Sequence, residues 1–197
     1  MPSFEHLFNA FVTILVTIDP PGLAPLFLAV TRGMNRDERR QVSIRASVIG
    51  FGVLALFAVM GSAILAAFGI TLPAFRVAGG LLLFFIAFEM VFERRNERKE
   101  KSADTAITKD HIRNIAAFPL AIPLIAGPGA ISATVLLSGG MPSTAGQVAL
   151  VAIILVSLLI TYLVFILAER IDRLLGVILA ALAVQFVADG IKALMAA

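Results

Sequence analysis

The chain has 197 residues, of which 59% are hydrophobic and only 15% are charged, and its mean hydropathy is +0.97. Soluble domains carry about 25% charged residues, so this composition excludes an ordinary soluble protein and indicates one that spans a membrane. The absence of Cys excludes disulfides and thiolate sites, and the formal net charge of +3 lies in loops between apolar segments, which favours membrane topology over nucleic-acid binding.

Six apolar segments are long enough to cross a bilayer as helices of about 20 residues. The N-terminal sequence lacks a positively charged leader and a cleavage site, so we expect the first segment to remain as a span. The sequence therefore predicts an all-α membrane protein with six transmembrane helices. They are predicted at residues 6–30, 42–68, 73–92, 115–139, 146–168 and 174–196.

Lys and Arg are distributed unequally between the two ends of these spans. If all six segments cross, 14 of the 16 Lys and Arg residues lie in loops on one side, and only Arg76 and Lys192 lie on the other. Cytoplasmic loops carry the excess of positive charge. We therefore expect the basic loops in the cytoplasm and both termini outside.

The first predicted span contains an acid and several helix-disturbing residues, in the sequence TIDPPGLAP. Asp19 has 12 uncharged residues on each side, which places it near the bilayer centre. Insertion scales assign about 2.5–3.5 kcal/mol to an Asp there, so its carboxyl must face protein, water, an ion or a ligand, or take a proton. Pro20 and Pro21 remove two backbone donors, and Gly22 tolerates many backbone conformations. We predict that the helix breaks here and that its unpaired backbone groups line a cavity.

The fourth predicted span repeats the break, in the sequence PLAIPLIAGPGAIS. Pro119 and Pro123 precede a Gly-Pro-Gly sequence at 127–129, and Ser132 follows it without any acid. Two facing broken helices present partly positive N-terminal ends and partly negative carbonyl ends. This pattern suits a small zwitterion, and the lack of a second charge near the midplane favours a neutral amino acid.

The two halves of the chain also correspond in order. IDPPGLAP at 18–25 aligns with IAGPGAIS at 125–132, and the third span of each half carries Gly three residues after Arg. Three spans per half is an odd number, so the second half enters the membrane from the opposite side, as in many secondary transporters. We predict an inverted repeat, with the first three-helix repeat at 1–92, a charged cytoplasmic linker at 93–113 and the second repeat at 114–197.

Structural interpretations of the same residues stay open. Asp19 is also explained as an acid that bonds Thr17 or backbone freed by the kink. Thr161 and Tyr162 interrupt the fifth span and either face the cavity or pack within it. Several small residues are explained by close helix packing, namely Gly50, Gly52, Gly61, Gly79 and Gly80.

Four segments resemble the MarC family of bacterial inner-membrane proteins: DPPGLAPLFL, FRVAGGLLLFFIAFEM, PLAIPLIAGPGAIS and GVILAALAVQFVADGI. The resemblance covers essentially the whole chain. It implies a six-span transporter in the bacterial inner membrane, related to LysE-type amino acid exporters, with some members that take up glycine, alanine and other neutral amino acids. The family motifs map onto Asp19, Pro20, Gly22 and Pro25 in the first span, and onto Pro119, Pro123, Ala126, Gly127, Pro128, Gly129 and Ala130 in the fourth.

The predicted function is secondary transport of small neutral amino acids by alternating access, coupled to H⁺ or Na⁺, with export of another small solute or drug as the alternative. Asp19 is the candidate for holding the coupling ion. We expect no enzymatic activity, since an HExxH motif and a second midplane acid are missing, and no cofactor or metal. The lipid bilayer is the expected surrounding partner, and a homo-oligomer stays open. The predicted substrate-binding residues are Asp19, Pro20, Pro21, Gly22, Pro123, Ala126, Gly127, Pro128, Gly129, Ala130 and Ser132.

Overall fold

The computed structural model describes residues 3–91 and 115–168, and every regular element in those two ranges is helical. The linker predicted at 93–113 and the span predicted at 174–196 lie outside the described residues. The described elements are α1 (Phe4–Ile18), α2 (Pro20–Val30), α3 (Arg36–Ala67), α4 (Leu72–Val91), an irregular helical segment (Ala116–Ile125), α5 (Pro128–Gly140) and α6 (Thr144–Ala168).

Three helices in the described chain are long and apolar enough to cross a membrane. They are the continuous run Phe4–Val30, which joins α1 to α2, and the helices α3 and α6. The irregular segment and α5 form a fourth candidate span that is bent by 57°, and α4 is a shorter apolar helix. The first five predicted spans thus coincide with helices, whereas the six-span inverted repeat and its domain bounds stay predictions.

α3 packs against the irregular segment and α5 through residues without bulky side chains. A Cβ added at Gly50 would lie 2.7 Å from Cγ2 of Ile125, and one added at Gly61 would lie 2.8 Å from Cγ2 of Val135. Between these contacts, the hydroxyl of Ser138 in α5 donates a hydrogen bond of 2.5 Å to the carbonyl of Ala58 in α3. Membrane helices approach closely where small residues meet. The backbone of α3 therefore packs closely against the second broken span.

The predicted role of glycines in close packing is confirmed at three of five positions. Gly79 joins Gly50 and Gly61, because its Cβ would lie 2.9 Å from Cδ1 of Leu136. A Cβ at Gly52 or at Gly80 meets no described atom within 4 Å. Close packing at these two positions stays a prediction.

The described loops fall at two opposite ends of the helices. Ser3 and His6 share one cavity with the α5–α6 turn. At the other end, Nε of Arg39 donates to the carbonyl of Thr31 at 3.3 Å, and the ring of Phe27 stacks on that of Phe165 near the end of α6. The start of α1 and the α5–α6 turn therefore share one end, as the predicted alternation of loops requires.

Cysteine labelling tests this arrangement directly, because the chain contains no native Cys. Ala145, at the start of α6, and Arg32, just after α2, are both exposed. Each can be replaced by Cys. We expect a membrane-impermeant thiol reagent to label Ala145→Cys in intact cells and to label Arg32→Cys only after permeabilisation. The reverse pattern would invert the predicted orientation.

Gly50 and Gly52 form a matched pair for testing the packing of α3. Leu at either position raises helix propensity equally, but at position 50 its side chain must displace Ile125, whereas an added Cβ at position 52 has no described atom within 4 Å. We expect Gly50→Leu to lower stability by about 1–3 kcal/mol relative to Gly52→Leu, as overpacking does. Thermal unfolding in detergent measures the difference, and equal melting temperatures would contradict this packing.

Candidate functional site

The break in the first span is confined to a single residue. Asp19 adopts a left-handed conformation, with φ 59° and ψ 66°, between the end of α1 and the start of α2. Its N–H still donates to the carbonyl of Leu15 at 2.9 Å, and its carbonyl accepts from the N–H of Leu23 at 3.1 Å. These two hydrogen bonds join Asp19 to both helices, so the predicted break is a local change of direction within one span.

The two prolines leave no donor unsatisfied, contrary to the sequence-based expectation. Pro20 and Pro21 occupy the first positions of α2, where N–H groups have no partner within a helix and Pro is therefore well tolerated. The next N–H, that of Gly22, donates to Oδ1 of Asp19 at 3.1 Å. Asp19 is therefore the N-cap of α2, which supports the structural interpretation in which its carboxylate bonds backbone at the kink.

Gly22 is required by this cap. A Cβ added at Gly22 would collide with the carboxylate of Asp19, so any other residue would displace the capping group. Asp19 and Gly22 therefore stabilise the kink together, and this structural role is separate from their predicted role in substrate binding.

The end of α1 does lose the usual partners of three carbonyl groups. In an α-helix the carbonyls of Val16, Thr17 and Ile18 would accept from the N–H groups four residues later. Two of those later residues are Pro20 and Pro21, which have no N–H, and the third N–H is directed to Asp19. The kink therefore concentrates carbonyl oxygens and one carboxylate in the first span at its midpoint.

The second break is more extensive than the first. Phe118 and Ile122 have extended backbone inside the irregular segment, with φ −135° and −129°, and each precedes a cis proline. The N–H of Ala126 donates to the carbonyl of Ala121 at 2.8 Å, five residues back. The prediction of a broken fourth span is confirmed.

The N-terminus of α5 begins at this break without a side-chain cap. Gly127 is the N-cap residue and has no side chain to offer, and Pro128 occupies the first helical position. A Cβ at Gly127 would lie 2.5 Å from the carbonyl oxygen of Pro123, so the tight turn needs glycine. The N–H groups of Gly129 and Ala130 thus form the partly positive start of α5.

The structure brings the two breaks together. α1 packs against α5, and α2 contacts the irregular segment. Gly129 is buried, and a Cβ added there would lie 3.3 Å from Cγ2 of Thr17 and would collide with Cδ1 of Ile86 in α4. Since Thr17 is two residues before Asp19, the carbonyl-rich end of α1 and the N-terminus of α5 are neighbours.

The predicted site residues differ in their exposure within this arrangement. Pro21 and Pro128 are exposed on the outer sides of the two breaks. Those that are buried are Pro20, Ala126, Gly129 and Ala130, and those that are partly buried are Asp19, Gly22, Pro123, Gly127 and Ser132.

Sequence reasoning missed two side chains at this contact. Thr17 was considered only as a partner of Asp19, yet its hydroxyl donates to the carbonyl of Thr13 at 2.6 Å and its methyl group faces Gly129. Ile86 closes the site from α4, and no local pattern marks it among the apolar residues of that helix. In the described ranges, no group of three or more His, Asp or Glu side chains is arranged to hold a metal.

The fifth-span residues separate into two environments. Thr161 is fully buried, and its hydroxyl donates to the carbonyl of Ser157 at 2.9 Å, so it satisfies its own helix as Ser and Thr often do in membranes. Tyr162 lines two cavities between α3 and α6.

Comparison with known proteins agrees with these features. A family model described as "MarC family integral membrane protein" matches residues 4–195. The chain belongs to the MarC family. No solved structure matches it significantly.

Its relatives in the MarC family come from bacteria and archaea. The chain is 35% identical to a UPF0056 membrane protein of Aquifex aeolicus, over 99% of this chain and 97% of the relative. It is 36% identical to one of Methanocaldococcus jannaschii, over 98% and 90%, and 30% identical to one of Bacillus subtilis, over 96% and 95%. These relatives are named as membrane proteins, and membership of the family establishes an integral membrane protein.

The Asp19–Gly22 unit can be tested by a double-mutant cycle. We expect Gly22→Ala to lower stability by about 1–3 kcal/mol, because the new methyl group displaces the capping carboxylate. In an Asp19→Gly background the same change should cost little, since the colliding group is absent and Gly also serves as an N-cap with a loss of only a few tenths of a kcal/mol. Melting temperatures in detergent give the coupling, and equal costs in the two backgrounds would show that the collision is not the cause.

Proposed function

We propose that this chain is a secondary transporter of small neutral amino acids, such as glycine and alanine, in the bacterial inner membrane. Membership of the MarC family and the apolar helices support a membrane transporter. The observation that carries the substrate class is the juxtaposition of two helix breaks with opposite polarity, at the contact between Thr17 and Gly129.

The two breaks match the two charges of an amino acid. Oxygen atoms collect at the end of α1, from the carbonyls of residues 16–18 and the carboxylate of Asp19, and these suit an ammonium group. The uncapped N–H groups of Gly129 and Ala130 at the start of α5 suit a carboxylate, as helix N-termini do. A zwitterion between them would place its ammonium group beside the oxygen atoms and its carboxylate beside the N–H groups.

The close approach of the helices favours a small substrate. Gly129 has Thr17 on one side and Ile86 on another, so side chains from α1 and α4 already occupy the space beside the N-terminus of α5. A large substrate side chain would have to displace them, whereas glycine or alanine adds at most one methyl group. This supports glycine and alanine above larger neutral amino acids.

Asp19 is the proposed site of coupling to H⁺ or Na⁺. One of its oxygens accepts the Gly22 N–H, and the carboxylate is only partly buried. Protonation or Na⁺ binding would change its charge beside the substrate ammonium, which links ion and substrate binding. The proposed cycle is alternating access between two inverted halves, and we propose no catalytic step.

Uptake into proteoliposomes tests the proposal. We expect labelled glycine and alanine to accumulate when a pH gradient or a Na⁺ gradient is imposed separately, and only one of the two should drive uptake. Gly52→Leu changes a position where an added Cβ has no described atom within 4 Å, so it should transport normally and serves as the matched control. Failure of every neutral amino acid to move under either gradient would reject the substrate class, and movement of another small solute would favour the export alternative.

Asp19→Asn separates coupling from structure within the same assay. Asn caps helices about as well as Asp, so the folded yield and melting temperature should be unchanged. Gradient-driven uptake should fall by on the order of tenfold or more, because a hydrogen bond to a charged group contributes about 1.5–3 kcal/mol. Full uptake by this variant would show that transport does not need the carboxylate of Asp19, and the binding site would then consist of backbone groups.

A further inference from the structure

A cationic cavity lies at the opposite end of the described helices from the start of α1. Its volume is about 270 Å³, and it is formed between the first turns of α3 and the last turns of α6. Arg36, Arg39 and Arg40 line it from α3, and Ser43 follows one turn further along the same face. Three guanidinium groups thus line one cavity, and planar guanidinium donors match phosphate oxygens particularly well.

Ser43 is an independent sign of a ligand. The residue is 1% exposed, and its hydroxyl oxygen is buried without a hydrogen-bond partner. Buried hydroxyl groups are normally bonded, and an unmade bond there is unfavourable. Because Ser43 lines the cavity, an oxygen atom bound among the arginines would supply the missing partner.

Glu38, an acid close to these arginines in the sequence, takes part in capping the N-terminus of α3. The side chain of Asn35 accepts from the N–H of Glu38 at 2.9 Å, and the carboxylate of Glu38 accepts from the N–H of Asn35 at 2.8 Å. This capping box directs Glu38 to the helix end, and Glu38 is not among the residues that line the cavity.

The cationic cavity continues into an apolar groove. A second cavity of about 310 Å³ lies between α3 and α6 and shares Tyr162 with the first. Its α3 residues run from Ile44 to Phe51, so at 1.5 Å per residue the groove extends about 16 Å beyond Arg40, roughly half the thickness of a bilayer core. Its α6 side is formed by Leu155, Leu158 and Leu159.

Both helices carry the groove in the same direction, away from the arginines. The end of α6 lies beside the start of α3, so the two helices run in opposite directions along the groove. On α3 the groove residues come after the arginines in sequence, and on α6 they come before Tyr162. A charged end at the loops and an apolar end toward the membrane interior match a molecule with an anionic head and a hydrocarbon tail. A free phosphate ion would use only the first cavity.

We propose that this surface binds an anionic phospholipid, with its phosphate among Arg36, Arg39 and Arg40 and an acyl chain in the groove between α3 and α6. The predicted orientation places these arginines at the cytoplasmic face, where basic pockets between helices bind anionic headgroups. The site is separate from the proposed transport site, since neither Asp19 nor Gly129 lines it. It therefore stands independently of the proposed function.

Thermal stability of the purified full chain in detergent provides the test. We expect added phosphatidylglycerol to raise the melting temperature in a saturable way, and phosphatidylcholine or inorganic phosphate to have much less effect. Arg40→Gln should weaken the apparent affinity for phosphatidylglycerol about fivefold, as the loss of one cation near a lipid surface does. Arg45→Gln is the matched control, because it removes the same charge from an exposed position of α3 outside the cavity.

A second variant tests the groove without changing charge. Ser47 lines the apolar groove, so Ser47→Phe should fill it and reduce stabilisation by phosphatidylglycerol. Equal stabilisation by the two lipids, equal effects of Arg40→Gln and Arg45→Gln, or an undiminished lipid effect in Ser47→Phe would each overturn the proposal. A response to inorganic phosphate as large as that to phosphatidylglycerol would show a simple anion site and would overturn it equally.

Discussion

The absence of water in the hydrocarbon core governs how this chain can interrupt a helix. Every backbone N–H and carbonyl there needs a partner from the protein or from a bound molecule. At the first break the start of α2 needs few partners, because Pro20 and Pro21 have no N–H. The next N–H, that of Gly22, donates to the carboxylate of Asp19. The carbonyls of residues 16–18 lose the N–H partners that a continuous α-helix would give them. At the second break Gly127 provides no capping side chain, so the first N–H groups of α5 receive no hydrogen bond from their N-cap residue.

The two breaks are thus similar in sequence but complementary in polarity. Asp19 caps the start of α2 from within the first span, whereas Gly127 at the start of α5 has no side chain with which to do the same. The contact between Thr17 and Gly129 places the start of α5 beside the carbonyl-rich end of α1. The proposed zwitterionic substrate would interact with both of these helix ends, whereas an ion of either sign would interact with only one.

Composition together with the Pro and Gly residues predicted the helices of the described ranges and the positions of both breaks, because these features depend on local chemistry. Long uncharged segments set the helices, and Pro and Gly mark where hydrogen bonding must change. The same local signals could not distinguish a one-residue kink from a 57° bend, since that depends on where each proline falls relative to the new helix start. Pro20 and Pro21 fall at the first turn of α2, whereas Pro119 and Pro123 lie inside the irregular segment.

Long-range packing was the other feature that the sequence left open. Gly50 and Gly52 are equivalent in the sequence, yet among the described residues only Gly50 meets a neighbouring side chain, that of Ile125. Ile86 reaches Gly129 from α4, and nothing in its surroundings along the chain marks it as part of the site. Such contacts follow from which helix faces meet, which periodicity alone does not determine when helices are apolar on all sides.

The helix α5 is held differently at its two ends, and this bears on how a transport cycle would work. Its far end is fixed to α3 by the Ser138–Ala58 hydrogen bond, and the amide of Gln147 donates to the hydroxyl of Ser138 at 3.0 Å. Its near end meets α1 and α4 at Gly129, where the contacts described are with Cγ2 of Thr17 and Cδ1 of Ile86. In the proposed transport cycle, a movement of the near end would separate these apolar contacts while the far end keeps its hydrogen bonds to α3 and α6.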